Sequence, residues 1–500
     1  MGRRKRPSFA PELSGPDPRL LELSSDTMRA MVDQAMARIV SHHETLPTQP
    51  LHATAGGKKL ARALREPLPE RGVPYDRLLR LIFGRVIPTS LNTASPGYLA
   101  YIPGGGLFHS AVADLIADAT NRYAGVWLAA PALAEIEAIV VRWFADLLGL
   151  PATAGGVLTT GGSLANFSAL VTARRERLPP DFLRGVIYVS DQAHHSVRKA
   201  ALLAGFPPDR VREIPSDERF RLRPDALERA IAEDRAAGLA PFFVVGNAGA
   251  TPTGAVDDLG AIADVAAREG LWLHVDAAYG GFFALTTRGR AALAGIDRAD
   301  SVTLDPHKSL FLPFGTGCLV VRDREALRRA HAVHADYLPP MQTDDDLVDP
   351  CDLGPELTRD ARGLRVWLPL KMHGAAPFRA ALDEKIDLAR AAADAIRATP
   401  GLEIVAEPEL SLFAFRARWP GQEGAALDAW NRALMSRVNA RQRVFLTGTL
   451  LASVGFVIRV CVLSFRTHRE HVDACVEDVR AAHAELAAEG SGARSLTRPA

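Results

Sequence analysis

The order of short β-type segments and helices between about Pro96 and Val321 constrains the fold more than any other feature of this chain. Such alternation is typical of βαβ units, which build a mainly parallel sheet with helices on both faces. Ligands of these sheets bind at the carboxyl ends of the strands. The residues that directly follow each strand are therefore the first candidates for a functional site. The pattern predicts strands over 156–160, 185–189, 241–246, 271–275, 301–304 and 317–321, and helices over 164–176, 196–205 and 259–269.

The chain changes character on both sides of this α/β region, which we place at residues 95–376. Apolar residues at helical spacing over 25–46, and a second helix near 75–83, predict an N-terminal helical arm (1–94) with little core of its own. We expect this arm to pack on a dimer partner. A small α+β domain (377–488) is predicted from helices over 380–399, 426–440 and 470–488 and strands over 402–406, 410–416, near Val444 and over 457–463. Residues 489–500 are predicted to be a disordered tail.

The composition is that of an ordinary globular protein, with 48% apolar and 23% charged residues. A formal net charge of +1 gives no global field for binding nucleic acid or an anionic membrane. The four cysteines form neither a CxxC pair nor a metal-finger spacing, so we predict no metal site and a reducing, cytoplasmic location. No apolar run is long enough to span a membrane.

A glycine-rich turn, Thr159-Thr-Gly-Gly-Ser163, lies between the first strand and its helix. Gly161 and Gly162 allow a tight turn, and Ser163 is a candidate helix cap. The free N–H groups and the positive end of the helix dipole favour a phosphate. The turn matches neither a P-loop nor GxGxxG, so nucleotide sites lack their signature. An ordinary βα turn is the alternative interpretation.

Two polar side chains follow other strands: His194 follows the second and Asp276 the fourth. A carboxylate at the end of an apolar strand requires a cation, and a protonated pyridine nitrogen would supply one. His194 is placed to stack on a planar cofactor. A solvated loop histidine and a helix-capping aspartate are the alternatives.

The tetrad Asp305-Pro-His-Lys308 ends the strand over 301–304 and places a lysine amine at the edge of the sheet. The commonest use of such an amine is a Schiff base with pyridoxal 5'-phosphate (PLP). The phosphate turn, His194 and Asp276 are the other parts that this cofactor needs. The sequence therefore predicts a PLP site.

These motifs resemble those of the group II PLP-dependent amino-acid decarboxylases, the family of aromatic-L-amino-acid and glutamate decarboxylases. The resemblance implies a PLP-dependent transferase fold of type I (aspartate-aminotransferase-like) and a homodimer with its active site at the subunit interface. Its carriers extend from about Ser95 to His468, and are 95–103, Thr160-Gly-Gly-Ser163, Asp191-Gln-Ala-His194, Gly249-Ala-Thr251, His274-Val-Asp-Ala-Ala-Tyr279, Asp305-Pro-His-Lys308 and Arg362-Gly-Leu-Arg-Val-Trp367.

The resemblance also implies residue roles. Lys308 would form the Schiff base, Asp276 would pair with the pyridine nitrogen, and His194 would stack on the ring. The remaining residues are Gly162, Ser163 and His307 for the phosphate, Thr251 and Ala278 beside the ring, and Tyr101, Ile102 and Pro103 for the substrate side chain.

The chain departs from the family pattern at three places. Ser309 replaces the usual Trp or Met, and Asp305 replaces a frequent Asn, where a carboxylate would lie near a phosphate. In the mobile loop over 337–354, the family's proton-donating tyrosine aligns near Pro350-Cys351, and no tyrosine is there. Tyr337, with His334 as the other candidate, is the predicted substitute as a catalytic residue.

The implied activity is decarboxylation of an L-amino acid to the amine and CO2 through an external aldimine and a quinonoid. Aromatic substrates are favoured, because the segment after Pro103 offers no cation for a second carboxylate. The alternatives are an aldehyde-forming decarboxylase, which loss of the loop tyrosine accompanies in plant relatives, a glutamate-type decarboxylase, an aminotransferase, or a non-catalytic relative.

Overall fold

The computed structural model describes residues 18–333 and 347–495, which divide into two compact units, 1–92 and 93–500. In the first unit, Ser24 caps the first helix by accepting a hydrogen bond from the Thr27 N–H. This helix has no buried residue over its 21 positions. The helices of this unit are α1 (Ser25–Thr45), α2 (Gly57–Ala63) and α3 (Tyr75–Leu81).

The second unit contains all the strands of the described chain. The strands are β1 (Gly155–Thr159), β2 (Gly185–Ser190), β3 (Val211–Ile214), β4 (Ala240–Asn247), β5 (Trp272–Asp276), β6 (Ser301–Leu304), β7 (Gly317–Val321), β8 (Leu402–Ala406), β9 (Leu412–Ala417), β10 (Thr447–Leu451) and β11 (Gly455–Cys461). The helices are α4 (Phe108–Thr120), α5 (Pro131–Leu147), α6 (Gly162–Arg177), α7 (His195–Leu203), α8 (Pro224–Ala236), α9 (Leu259–Glu269), α10 (Thr287–Ala292), α11 (Arg324–His331), α12 (Gly363–His373), α13 (Ala375–Arg397), α14 (Gly424–Ala440) and α15 (Arg469–Ser495).

The large sheet has seven strands in the order β1-β7-β6-β5-β4-β2-β3. Strands β2 to β6 pair in parallel, and β7 is antiparallel to both of its neighbours. The predicted mainly parallel sheet is thus confirmed. A second, antiparallel sheet has the order β10-β11-β9-β8.

Both faces of the large sheet are buried, as a parallel sheet requires. Along β2, Val186 and Tyr188 belong to one apolar cluster, while Ile187 and Val189 belong to another. This alternation follows from the two-residue period of a strand. Apolar clusters therefore cover both faces of the sheet, and the carboxyl edge is where a site can form.

Several elements differ from the sequence prediction. The pattern misses β3, α2, α4, α5, α8, α10, α11 and α12, and the strand expected near Val444 is β10, which begins at Thr447. The final helix continues to Ser495 rather than ending at Ala488, so the predicted tail is helical over 489–495. An ion pair of 2.6 Å between Glu489 and Arg437 holds this extension. Within the described ranges, no helix is both long and apolar enough to cross a bilayer.

Candidate active site

A cavity of about 320 Å³ opens at the carboxyl ends of β1, β2, β4, β5 and β6. Each segment that follows one of these strands contributes side chains, as the topology predicts. The structure brings eight of the predicted site residues together here: Gly162, Ser163, His194, Thr251, Asp276, Ala278, His307 and Lys308. Residues that were given no role in the predicted site also line the cavity, and they include Asn166, Ser196, Asn247 and Tyr279, together with Asp305, the carboxylate expected near a phosphate.

One end of the cavity, here called the anion end, consists of Gly161, Gly162, Ser163, Asp305 and His307. Helix α6 begins at Gly162 and Gly161 precedes it, so Ser163 lies within the first turn and is not the cap that the sequence predicts. The first N–H groups of a helix have no partner inside it. With the helix dipole they attract an anion to this end. A Cβ atom at Gly162 would stand 3.0 Å from Asp305 Oδ2, so glycine is needed for this close approach.

Lys308 Nζ lies 3.0 Å from Asp305 Oδ2. Burial by itself would lower the pKa of this amine, but the negative charges of Asp305 and Asp276 outweigh it and raise the pKa. Lys308 is therefore a protonated ammonium in this state. Ser309 is buried and donates a hydrogen bond of 2.6 Å to the carbonyl of Tyr279, which fixes the backbone directly after the lysine.

A second group of residues, in the cavity wall and behind it, is built around the amide of Asn166, and we call Asn166, Asp276, Ser196, His194, His274 and Thr303 the amide cluster. Asn166 Nδ2 donates to Asp276 Oδ2 at 3.0 Å and to Ser196 Oγ at 2.9 Å. Because a carboxylate only accepts, this contact fixes the orientation of the amide. The other oxygen of Asp276 accepts from the Ala278 N–H at 3.2 Å. The carboxylate is thus held from two sides.

The same network sets the protonation state of His194. Its Nδ1 accepts from the Ser196 N–H at 3.3 Å and lies 2.8 Å from Ser196 Oγ. A backbone N–H can only donate, so Nδ1 carries no proton and a neutral ring is protonated at Nε2. Burial lowers the pKa of His194, although the charge of Asp276 opposes the shift. His194 is therefore neutral at pH 7.

A second layer supports Asn166 from behind. Its Oδ1 accepts from Thr303 Oγ1 at 2.7 Å and faces His274 Nε2 at 3.0 Å, and so His274 donates. Burial lowers the pKa of His274 to about 4, with Asp276 opposing. Asn166, Ser196 and Thr303 were not predicted from the sequence as site residues. The signal was present, because Asn166 lies four residues into α6, on the helix that follows the phosphate turn.

The predicted substrate segment, Tyr101-Ile-Pro103, does not line this cavity. Tyr101 is 57% exposed and has a φ of +52°. The next residue, Gly104, packs against the lysine turn so closely that a Cβ atom there would stand 2.2 Å from the carbonyl oxygen of His307. The segment therefore passes beside Lys308 without entering the cavity.

The predicted catalytic Tyr337 and its alternative His334 lie outside the described residues. Of the loop, residues 347–354 are described, and Pro350–Leu353 form a short 3-10 helix with Pro350 buried. The Cys351 N–H donates to the carbonyl of Gly125 at 3.0 Å. The position aligned with the family's tyrosine is thus part of a packed turn.

The residues of the cavity fit PLP on their own chemistry. Lys308 supplies a primary amine, and Asp276 supplies a buried carboxylate for a cationic ring nitrogen. The N-terminus of α6 suits a phosphate. Asp305 is the exception: its Oδ1 is buried and has no hydrogen-bond partner among the described residues.

Comparison with known proteins agrees with this fit. Residues 58–418 match the family model described as the pyridoxal-dependent decarboxylase conserved domain. The chain is 35% identical over 456 residues to an aromatic-L-amino-acid decarboxylase of Bacillus atrophaeus, with 90% of this chain and 94% of the relative covered.

Two solved structures extend the comparison and confirm the predicted type I fold. Oryza sativa TDC with PLP and tryptamine superposes with a TM-score of 0.88 at 30% identity, covering 93% of this chain and 99% of the other. Rhodiola rosea 4-hydroxyphenylacetaldehyde synthase superposes with a TM-score of 0.86 at 26% identity, again covering 93% and 99%.

Proposed function

Because this chain belongs to the pyridoxal-dependent decarboxylase family, we propose that it removes the α-carboxylate of an aromatic L-amino acid as CO2 and leaves the amine. The chain is a PLP-dependent carboxy-lyase. One observation carries the proposal: Lys308, Asp276 and a helix N-terminus line one cavity at the strand ends. A non-catalytic relative would be expected to have an altered Lys308 or Asp276, and both are present.

When bound, PLP supplies an aldehyde that condenses with amines and a pyridine ring that accepts the electron pair of the broken Cα–carboxylate bond. In the proposed site, Lys308 anchors the cofactor through its amine and releases it to the substrate amine. The two carboxylates that face Lys308 keep this amine charged while it is free. Loss of that proton is the first step that the lysine must undergo before it can attack a carbonyl.

Asp276 is proposed to hold the proton on the pyridine nitrogen. The amide of Asn166 and the N–H of Ala278 restrain its two oxygens, so the carboxylate has a fixed orientation before the cofactor arrives. His194 is proposed to lie against the ring as a neutral imidazole, which adds no positive charge to compete with the pyridinium. Gly162, Ser163 and His307 are proposed to hold the phosphate, with Thr251 and Ala278 beside the ring.

The proposed substrate class is supported by the relatives. The Bacillus atrophaeus relative is an aromatic-L-amino-acid decarboxylase, and the Oryza sativa structure holds tryptamine. Tyr101, Ile102 and Pro103 are the residues proposed to contact the side chain. They do not line the cavity, and a substrate would have to extend beyond it, past Gly104, to reach them.

A substrate panel tests this proposal. Purified protein loaded with PLP is given tryptophan, tyrosine, phenylalanine, glutamate and aspartate, and CO2, amine and peroxide are measured together. We expect CO2 and amine in equal amounts from an aromatic amino acid, and none from Lys308→Ala. Faster turnover of glutamate than of every aromatic substrate would refute the proposed substrate class.

A second activity, decarboxylation with formation of an aldehyde, is favoured by a specific observation. Pro350 and Cys351 stand where the family's tyrosine aligns, and they belong to a packed turn. The 4-hydroxyphenylacetaldehyde synthase is among the structural relatives. This activity consumes one O2 and one water for each amino acid, so aldehyde, ammonia and peroxide produced in step with CO2 and with O2 uptake would establish it in place of amine formation. The Tyr337→Phe variant tests whether Tyr337 acts as the proton donor in amine formation. If it does, the rate of amine formation falls in this variant.

We propose that the chain acts as a homodimer. Helix α1 buries none of its residues, and its Met28, Val32 and Val40 are exposed, as are Leu78 and Ile82 near α3. Apolar side chains on one helical unit of this size indicate a surface that a second protein covers. Light scattering of the full chain should give twice the 53.8 kDa mass of one chain.

We also propose a cytoplasmic location. Cys318, Cys461 and Cys475 are buried, Cys351 is partly buried, and all four thiols are free. Free thiols are typical of a reducing compartment. Fractionation of cells that express the tagged chain tests this proposal.

A further inference from the structure

The carboxylate of Asp305 lies at the anion end of the cavity, where an incoming phosphate would be placed. It is 3% exposed. Its Oδ2 faces Lys308 Nζ at 3.0 Å, whereas its Oδ1 is buried without a hydrogen-bond partner among the described residues. Both oxygens lie close to the start of α6, at 3.0 and 3.3 Å from the position of a Cβ on Gly162.

A buried carboxylate oxygen without a donor is unfavourable, and a neighbouring phosphate makes it more so. Lys308 is the cation that faces Asp305 at hydrogen-bond distance, and Asp276 also draws on its charge. A phosphate that arrived with two negative charges would therefore meet a carboxylate that one shared ammonium already has to balance. When a carboxylate and a phosphate are held close together, their like charges favour the protonation of one of them.

We propose that Asp305 and the cofactor phosphate share one proton, so that the cofactor binds with a singly charged rather than a doubly charged phosphate. Asp305 Oδ1, which has no partner among the described residues, would be this chain's oxygen in that shared hydrogen bond. This inference rests on the proposed placement of the phosphate at the start of α6. It is independent of which amino acid the enzyme decarboxylates.

No side chain around Asp305 supplies this hydrogen bond among the described residues. Thr303 Oγ1 already donates to Asn166, and His194 makes no hydrogen bond to Asp305 Oδ1. The pKa of the Cys318 thiol is raised by burial, so it stays neutral and is a weak donor. His307 donates through Nδ1 to the Thr316 carbonyl at 2.6 Å, and its Nε2 stands 3.8 Å from Asp305 Oδ2. Among the described residues, the titratable groups that interact with Asp305 are Lys308, His307, His194 and Cys318, and Asp276 interacts with the same Lys308.

A pH dependence of cofactor binding follows. A phosphate monoester loses its second proton with a pKa of about 6. Above that pH, binding of the singly charged form takes up one proton from solvent. The affinity should therefore fall by up to about tenfold for each pH unit above 7. The Asp305→Asn variant carries no charge at this position and donates an N–H, so its requirement for the extra proton should disappear.

Pyridoxine 5'-phosphate tests this inference, because it carries the phosphate and the ring but cannot form an imine with Lys308. Its binding to the apoprotein is measured by calorimetry at pH 8 in two buffers of different ionisation enthalpy, which gives the number of protons taken up. We expect about one more proton for the wild type than for Asp305→Asn. The dissociation constant of the wild type, divided by that of Asp305→Asn, should increase between pH 7 and 8.5, because the variant binds more tightly at high pH.

Two further variants serve as controls. Asp181→Asn removes an exposed carboxylate and should behave as the wild type. Binding to His307→Gln should take up as many protons as binding to the wild type. If His307→Gln lost the extra proton uptake while Asp305→Asn kept it, the proposal would be overturned. In case Asp305→Asn fails to fold, ³¹P NMR of the wild-type holoenzyme is the second measurement: a resonance at the monoanion position at pH 8 supports the shared proton, and one at the dianion position refutes it.

The outcomes separate this inference from the cofactor site itself. Equal proton uptake by the wild type and Asp305→Asn, with binding intact in both, would refute the shared proton alone. Absence of any binding of pyridoxine 5'-phosphate to the wild type would refute the phosphate placement as well.

Discussion

The anion end and the amide cluster differ in how many of their polar atoms have hydrogen-bond partners before any ligand binds. In the amide cluster, both hydrogens and the oxygen of the Asn166 side chain have partners within 3.0 Å. At the anion end, Asp305 Oδ1 has no partner among the described residues, and the first turn of α6 offers N–H groups. A satisfied network is rigid, whereas unsatisfied groups remain able to bind a ligand. In the proposed placement of the cofactor, the amide cluster would orient the ring and the anion end would supply the affinity.

Lys308 interacts with Asp305 of the anion end and with Asp276 of the amide cluster. Its removal should have the largest effect on turnover. Lys308→Ala deletes the amine that both Asp276 and Asp305 face. Turnover should fall by at least about 10³-fold, the order expected when a covalent catalyst is removed. The measurement is CO2 release from the best substrate, with borohydride reduction as a second readout. Fixation of the cofactor by borohydride in this variant would show that another amine holds it.

Asp276→Asn tests whether the amide cluster acts through charge or only through shape. The substitution keeps the size of the side chain but removes the charge that would hold the pyridine nitrogen protonated. We expect a fall in kcat of about 10²-fold, as for the loss of one electrostatic stabiliser. Cofactor affinity should change much less, because the phosphate is proposed to bind at the start of α6. A large loss of affinity with unchanged kcat would reverse the roles given to the anion end and the amide cluster.

Asn166→Ala breaks the amide cluster at its centre. Asp276 loses a donor to a charged group, a loss of about 2 kcal/mol, and Ser196, His274 and Thr303 each lose a partner. We expect kcat to fall by about 30-fold, which is the same free energy expressed as a rate. Asn166→Asp is the matched control for shape. It places a second carboxylate against Asp276 and should be at least as inactive, whereas a purely steric role for Asn166 would leave it near the wild type.

The sequence predicted the site residues near strand ends better than those inside helices and strands, for a physical reason. Gly162, Asp276 and Lys308 lie at or shortly after the ends of β1, β5 and β6, and the topology alone brings such positions to one edge of the sheet. Asn166 and Thr303 lie inside a helix and a strand, where their roles depend on which side chains face each other across 137 residues. Spacing along the chain carries no such information. Helices α4 and α5 were not predicted, because they lie before residue 156, where the first strand of the alternating pattern was predicted.

The pH dependence of stability provides a further test of the amide cluster. Burial lowers the pKa of His274 to about 4 from 6.5, so the unfolded chain takes up a proton between these values that the folded chain refuses. The free energy of unfolding should fall as the pH drops from 6.5 towards 4, by roughly 3 kcal/mol from this group. His274→Gln should flatten that part of the profile. Urea denaturation of the apoprotein at pH 4.5, 5.5 and 7 measures the difference, and equal slopes in the two proteins would show that His274 is not the group responsible.

The smallest expected effect comes from Ser196→Ala, which separates the position of His194 from the rest of the amide cluster. The variant keeps the backbone N–H that donates to His194 Nδ1 and the amide contact to Asp276, but loses the hydroxyl between Asn166 and the imidazole. A neutral hydrogen bond contributes about 1 kcal/mol, so kcat should fall by about fivefold. Ser196→Thr keeps the hydroxyl and should restore most of the rate. Ser196→Ala should also let His194 take up a proton at Nδ1 more readily, which moves the acidic limb of the kcat profile to higher pH. An unchanged acidic limb with a lowered rate would mean that Ser196 acts on the packing of α7 rather than on the protonation of His194.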